Sequence, residues 1–202
     1  MFAKLPDGPL DIVGDVHGEL AALESLLSHL GYSSDGAHPA GRSLVFVGDL
    51  CDRGPDSPGV IGLVRRVVEG GRGVAILGNH ELNLLRRLRK DGNDWFWNEH
   101  SARDQKYEPT AKPEPHEREA LLDFLSGLPL TLERHDLRVV HAAWDEPALV
   151  ALQGQCPTEM LHLYETYEQA AKDKVQRQGL HDKAKAEEAA WAHALTDLNQ
   201  QV

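Results

Sequence analysis

One unit repeats three times in the first 90 residues of this 202-residue chain: a short apolar run, a Gly-led polar turn, then an amphipathic stretch. The apolar runs are Leu10–Val13, Ser43–Val47 and Gly73–Leu77, and the turns open on Gly14, Gly48 and Gly78. Short apolar runs that end at glycine read as buried strands. After the first of them, Leu20, Leu23, Leu26, Leu27 and Leu30 recur at helical spacing within Glu19–Leu30, and Gly31 supplies a stop. Ser57–Glu69 and Glu81–Lys90 read as the next helices, the latter with its bases late, where the helix dipole favours them. Strands alternating with helices predict an α/β sheet with crossover connections. Ligands of such sheets gather beyond the carboxyl ends of the strands, so three turns far apart in sequence meet at one edge.

The rhythm breaks at 91–116, where DGNDWFWNEH is followed by a charged, Pro-rich run; this reads as a loop or insertion rather than core. Trp95, Phe96 and Trp97 within it either cover the core or site rim or form an exposed docking patch. Glu117–Leu125 reads as a helix, and Leu130–Glu133 with Leu137–Val140 as a hairpin whose second strand delivers His141. Residues 146–198 are mostly helix formers, most clearly 158–175 and 181–195. The length suits one domain spanning 1–202, with a motif core at 10–144, the insertion at 91–116 and a helical C-terminal region at 146–198.

Formal net charge is −11, which argues against a nucleic-acid polymer or an anionic membrane surface as partner. It does not argue against a phosphorylated substrate, because bound divalent cations would invert the local field. The acidity is uneven: residues 1–90 carry 11 acids and 10 bases, so the excess belongs to the later half. No apolar stretch approaches the ~20 residues of a membrane span, and the N-terminus lacks the apolar core of a secretory signal. Two cysteines far apart, Cys51 and Cys156, make no disulfide framework and point to a reducing, cytoplasmic setting.

Four strings carry the chemistry: GDVHG at Gly14–Gly18, GDLCDRG at Gly48–Gly54, GNHE at Gly78–Glu81 and HAAW at His141–Trp144. Asp15 and His17, two apart just past a strand, can face one cation. The Asp49 carboxylate has two oxygens and can bridge two cations. Asp52 can orient a histidine, and Arg53 can grip phosphate oxygens bidentately. The amide oxygen of Asn79 suits a hard cation, while His80 is placed to act as a general acid. Singly, each string also fits turn chemistry: a turn Asp with a surface His, a local Asp–Arg pair, an Asn helix cap, a His at a strand end. Turn chemistry explains the glycines but not why these donors recur together at successive strand ends.

These strings resemble the motifs of the calcineurin-like metallophosphoesterases, in the branch that holds Ser/Thr phosphoprotein phosphatases and bacterial dinucleoside tetraphosphatases. The resemblance covers residues 10–144. It implies a β-sandwich flanked by helices on both sides, to which the helix formers beyond 146 add a helical C-terminal third. It implies that Asp15, His17 and Asp49 hold one metal and that Asp49, Asn79 and His141 hold the other. Asp52 and His80 then form the acid dyad, and Arg53 and Asn79 contact substrate. The cofactors implied are two divalent ions, Mn²⁺ first, with Fe or Zn as alternatives. The family's later Gly-His step has no counterpart, since His162, His181 and His193 sit in helix-like contexts and Ala142 replaces the usual Gly; a C-terminally shortened enzyme is the simplest account.

The function expected is therefore two-metal hydrolysis of a phosphate ester by a metal-bridging hydroxide, with a phosphoprotein Ser/Thr phosphatase as the first reading. A dinucleoside polyphosphate hydrolase is the alternative. A metal- or phosphate-binding regulator without turnover is the rival from another class, motivated by the absent late ligand. Oligomeric state stays open.

Overall fold

The computed structural model describes residues 2–152, 157–177 and 179. They fall into two compact units divided after Pro157. The first unit carries two three-stranded sheets.

One sheet holds the repeating unit. β2 (Leu10–Val13), β3 (Ser43–Phe46) and β4 (Gly73–Ala75) run parallel in that order, with Leu10 opposite Ser43 and Leu44 opposite Gly73. α1 (Leu20–Leu30) and α2 (Ser57–Glu69) make the crossovers. α1 stops where Gly31 turns left-handed at φ 90°. α2 starts where Asp56 accepts a hydrogen bond from Gly59 N at 2.8 Å, with Pro58 in the first turn. Strand alternation sorts β3 by face: Leu44 and Phe46 are fully buried on one side and Val45 on the other.

The second sheet has the order β1 (Phe2–Lys4), β5 (Thr131–Arg134), β6 (Leu137–Val140). β5 and β6 form the expected hairpin, while β1 joins β5 in parallel. β1 escapes a sequence reading because three residues have no period and its partner is about 130 positions away. The sheets share one core: Val45 and Ile76 from the first pack with Leu5, Leu132 and Val139 from the second. This is the sandwich, and it brings the end of β6 beside the ends of β2, β3 and β4.

α3 runs Asn79–Leu85 rather than Glu81–Lys90. It begins directly on Gly78 and ends before Arg87, whose φ of 56° is left-handed. Beyond it the Asn93 side chain accepts from Lys90 N and donates to Leu88 O, both at 2.9 Å, fixing a turn where the helix was expected to continue. Residues 91–116 are not a peripheral loop. They contain α4 (Asp94–Trp97), whose Trp95 and Phe96 are fully buried, and a 3₁₀ turn at Gln105–Tyr107. α5 (Pro115–Ser126) follows and packs on α2 and α3. The helical later region is present as α6 (Glu146–Leu152) and α7 (Pro157–Arg177); the helix expected at 181–195, with Cys156, His181 and His193, lies outside the described residues.

Candidate metal centre

The loops after β2, β3 and β4 are held in conformations that ordinary residues avoid. His17, Asp49, Asp52 and Arg53 all have positive φ, at 46°, 49°, 73° and 69°. Non-Gly residues in this region carry strain that the surroundings must fix. The buried Glu81 carboxylate does much of the fixing. It accepts from the backbone N–H of Gly78, Asp49, Leu50 and Cys51 at 2.8–3.2 Å, and from the Cys51 thiol at 3.1 Å. Burial pushes the Glu81 carboxyl up, against donors that favour its charged form, and burial also pushes the Cys51 thiol well up. Glycine is required where loops touch: a Cβ on Gly54 would sit 2.0 Å from His17 O, and one on Gly78 would sit 2.2 Å from Asp49 Oδ1.

Asp49 is the hub. Its Oδ2 lies 3.8 Å from His17 Nε2 and 3.9 Å from His80 Nε2, while its Oδ1 lies 3.4 Å from His141 Nε2. Among the described residues, two three-residue groups have donor atoms mutually within 4.8 Å: His17, Asp49 and His80, and Asp15, Asp49 and His141. Asn79 Oδ1 joins the second side, 3.2 Å from His141 Nε2. Asp49 thus turns one oxygen to each group.

The donor set fits divalent cations. His17 Nδ1 is 3.0 Å from Cys51 O, and His141 Nδ1 is 2.8 Å from Val47 O. A carbonyl only accepts, so in the neutral rings Nδ1 carries the proton and Nε2 presents a lone pair. The His141 lone pair faces Asp49 Oδ1 and Asn79 Oδ1, acceptor against acceptor, an arrangement that a cation relieves, while the His17 lone pair meets a guanidinium N–H of Arg53. Imidazoles tethered through the outer nitrogen are the usual form of metal-ligating histidine. Asp15, His17, Asp49, Asn79 and His141 could hold the ions.

The third histidine is tied differently. His80 Nδ1 is 2.7 Å from Asp52 Oδ2, and the same carboxylate accepts from Trp95 Nε1 at 2.8 Å through Oδ1. Burial would lower His80, but the hydrogen bond and charge of Asp52, with the charge of Asp49, hold it above the usual imidazole value. Burial pushes Asp52 up, opposed by its bonds to His80 and Trp95. Arg53 Nη1 reaches 3.1 Å from His17 Nε2, so its guanidinium lies at the cluster.

All eight residues singled out in the sequence therefore meet at one edge. Two more lie among them: Glu81, which was given no role, and Trp95, expected only as core or rim cover or as a docking patch. Glu81 is the last letter of GNHE, and its signal was an acidic residue three past a helix-starting Gly. Trp95 carries no such signal, because nothing local links an indole to a carboxylate 43 residues earlier. His162 lies exposed on α7, in the second unit.

A sandwich seam lined by oxygen and imidazole donors defines a class of α/β protein with a candidate dinuclear centre. The chain belongs to the calcineurin-like phosphoesterase family, whose profile matches residues 8–192. It is 49% identical over 80 residues to the bis(5'-nucleosyl)-tetraphosphatase PrpE (asymmetrical) of Oceanobacillus iheyensis, covering 38% of this chain and 32% of that protein. It is 33% identical over 159 residues to the symmetrical bis(5'-nucleosyl)-tetraphosphatase of Ralstonia nicotianae, covering 75% of this chain and 49% of that protein. The chain thus spans half or less of the length of these relatives. A solved metallophosphoesterase from Sphaerobacter thermophilus aligns with TM-score 0.42 at 23% identity, over 64% of this chain and 44% of that one. No helix among the described residues is long and apolar enough to cross a membrane.

Proposed function

We propose that this chain forms one metallophosphoesterase domain that hydrolyses a phosphoanhydride of a dinucleoside polyphosphate, in preference to a Ser/Thr phosphoprotein. The observation that carries hydrolysis is the Asp49 carboxylate turning one oxygen to each of two donor groups beside the His80–Asp52 pair. The choice of substrate rests on the curated relatives, which are named for tetraphosphate hydrolysis.

Asp49 would be shared by two divalent ions, with His17 completing one donor group and Asn79 and His141 the other, and with Asp15 placed in the Asp49–His141 group. Mn²⁺ is the first choice, since the donors are oxygen and imidazole nitrogen and the Cys51 thiol is turned to Glu81. Such a pair supplies Lewis-acid stabilisation of phosphoryl charge and activation of water at neutral pH. Arg53 binds phosphoryl oxygens and Asn79 contributes to substrate contact. His80, its Nδ1 committed to Asp52, offers the Nε2 proton to the leaving oxygen, and Asp52 stabilises the imidazolium. A reducing, cytoplasmic setting suits the buried Cys51 thiol.

The test is a side-by-side assay of the full chain with Mn²⁺ on diadenosine tetraphosphate and on a phosphoserine peptide. Faster turnover of the dinucleotide is expected. Turnover of the peptide alone would restore the phosphoprotein reading, and turnover of neither would favour the non-catalytic regulator.

A further inference from the structure

The segment 91–116 grips two consecutive residues of the GDLCDRG loop. Gly92 O accepts from Arg53 N at 3.0 Å, and the Trp95 indole N–H donates to Asp52 Oδ1 at 2.8 Å. Gly92 sits at φ +86°, where an added Cβ would lie 2.9 Å from Arg53 N, so the approach is as close as a side chain would forbid. Trp95 and Asp52 are 1% and 0% exposed, which makes their contact a dry one. A hydrogen bond to a charged group is worth more there than at a surface.

The indole is not free to drift. Phe96 stacks edge-on against it with centroids 5.6 Å apart. α4 is pinned at its start, where Asp94 N donates to Asp104 Oδ2 at 2.9 Å and Ser101 N donates to Asp94 Oδ2 at 2.6 Å. Arg103 bridges the two carboxylates, donating to Asp94 Oδ1 at 2.8 Å and to Asp104 Oδ1 at 2.7 Å. Asp52 has a third tether, its own N–H, which donates to Ser57 Oγ at 2.9 Å. Its two carboxylate oxygens are thereby divided: Oδ2 serves His80 and Oδ1 serves Trp95. With the Oδ1 donor removed, the carboxylate could rotate about its Cβ–Cγ bond and the His80 ring would lose its fixed direction.

We propose that Trp95 is a positioning residue for the acid step, holding the Asp52 carboxylate so that His80 is aimed at the leaving oxygen. This rests on the hydrolytic reading above and extends it to a residue outside the four motifs. Trp95 is buried with its indole N–H bonded to Asp52, so its effect must pass through Asp52. It must also scale with how much the leaving group needs a proton.

The test measures kcat and KM for wild type, Trp95→Phe, Asp52→Asn and the double variant, each as full chain with Mn²⁺. Two substrates are used: dinitrophenyl phosphate, whose leaving group needs no proton, and phenyl phosphate, whose leaving group does. Trp95→Phe is expected to lower kcat on phenyl phosphate about tenfold, to leave kcat on dinitrophenyl phosphate within about twofold, and to leave KM unchanged. In the Asp52→Asn background the same change is expected to cost nothing further, and Trp95→His, which keeps a ring N–H, is expected to recover part of the loss. Equal losses on both esters, or a full loss persisting in the Asp52→Asn background, would overturn the proposal by exposing a merely structural role. Activity of Trp95→Phe equal to wild type would overturn it while leaving the hydrolytic reading intact. Wild type inactive on both esters and on diadenosine tetraphosphate would instead remove that reading. Should Trp95→Phe fail to melt cooperatively, or should wild type be inactive, the Trp95 indole N–H resonance of wild type is compared with that of Asp52→Asn. A shift upfield in the variant is expected, and an unmoved resonance would overturn the proposal.

Discussion

The two sides of Asp49 are built by different means. The side facing Oδ2 holds His17 and His80, both buried or half-buried, on the loop after β2 and in the first turn of α3 at the edge of a single parallel sheet. Its geometry is written into the local backbone, with His17, Asp49, Asp52 and Arg53 left-handed and the Asp49-bearing loop laced to Glu81. The side facing Oδ1 holds Asp15, Asn79 and His141, and His141 arrives from the other sheet at the end of β6. Its ring is tethered to the backbone at Val47 O, 2.8 Å away. One side is therefore set by turn geometry within a sheet. The other is set by how two sheets pack through Val45, Ile76, Leu132 and Val139. A site at such a seam can lose one half without the other.

Asp49→Asn removes the element common to both halves, and it should have the largest effect. An amide keeps one acceptor and loses the charge, so both donor groups are weakened at once. Turnover is expected to fall by about a thousandfold or more, equivalent to about 4 kcal/mol of barrier. Elemental analysis should find fewer than one ion per chain. Two bound ions in this variant would break the idea that Asp49 is shared.

His141→Ala separates the halves. It strips an imidazole from the Oδ1 side and leaves His17, Asp52 and Glu81 untouched. The expected result is one ion per chain in place of two and turnover reduced by about a hundredfold. Loss of both ions would mean that the seam, rather than the local turns, holds the whole centre.

The first half was also the more legible one. Gly-led turns after apolar runs announced β2, β3 and β4 and the donors at their ends, because strand period, helix period and turn chemistry are all local signals. His141 was legible as a strand-end histidine, but what it would meet was implied only by family resemblance. β1, the early end of α3 and the contact of Trp95 with Asp52 were not legible. β1 and Trp95 depend on partners far along the chain, β5 and Asp52, whereas the turn after α3 is set by the nearby Asn93 side chain, which helix periodicity does not reveal. The charged, Pro-rich stretch after Trp97 disguised a buried helix, since composition averages over a window and a single indole does not.

Glu81→Gln loosens the first half from behind. The amide keeps one acceptor oxygen but turns an NH₂ toward the backbone donors of the Asp49 loop. Leaving buried donors unmet costs about 1–3 kcal/mol, so a loss near 2 kcal/mol is expected in urea melts. The Oδ2-side ion should weaken before the Oδ1-side ion. An unchanged melt would show that the left-handed residues are stable without the carboxylate, and that the contrast between the halves is smaller than the hydrogen bonds suggest.

Asp11 tests whether the contrast is confined to the loops. It lies on β2, away from the carboxyl edge, where Arg42 grips both carboxylate oxygens and Tyr32 Oη donates at 2.6 Å. The hydrogen bond from Arg42, then that from Tyr32, lower its pKa to about 2, below the ~3.9 of an unfolded chain. A depressed carboxylate pKa stabilises the fold above the unfolded value, and that contribution is lost as pH falls toward the folded one. The side chains of Arg42 and Asp11 are 37% and 18% exposed, so solvent screening limits the gain. Asp11→Asn is expected to cost about 1 kcal/mol at neutral pH. The gap from wild type should narrow as pH drops from about 4 toward 2. Both ions should remain, with turnover unchanged, because sheet geometry at the amino end of β2 does not set the turn after it. A pH-independent gap would remove the electrostatic account of Asp11. Loss of an ion would show that the first half, too, depends on packing at a distance.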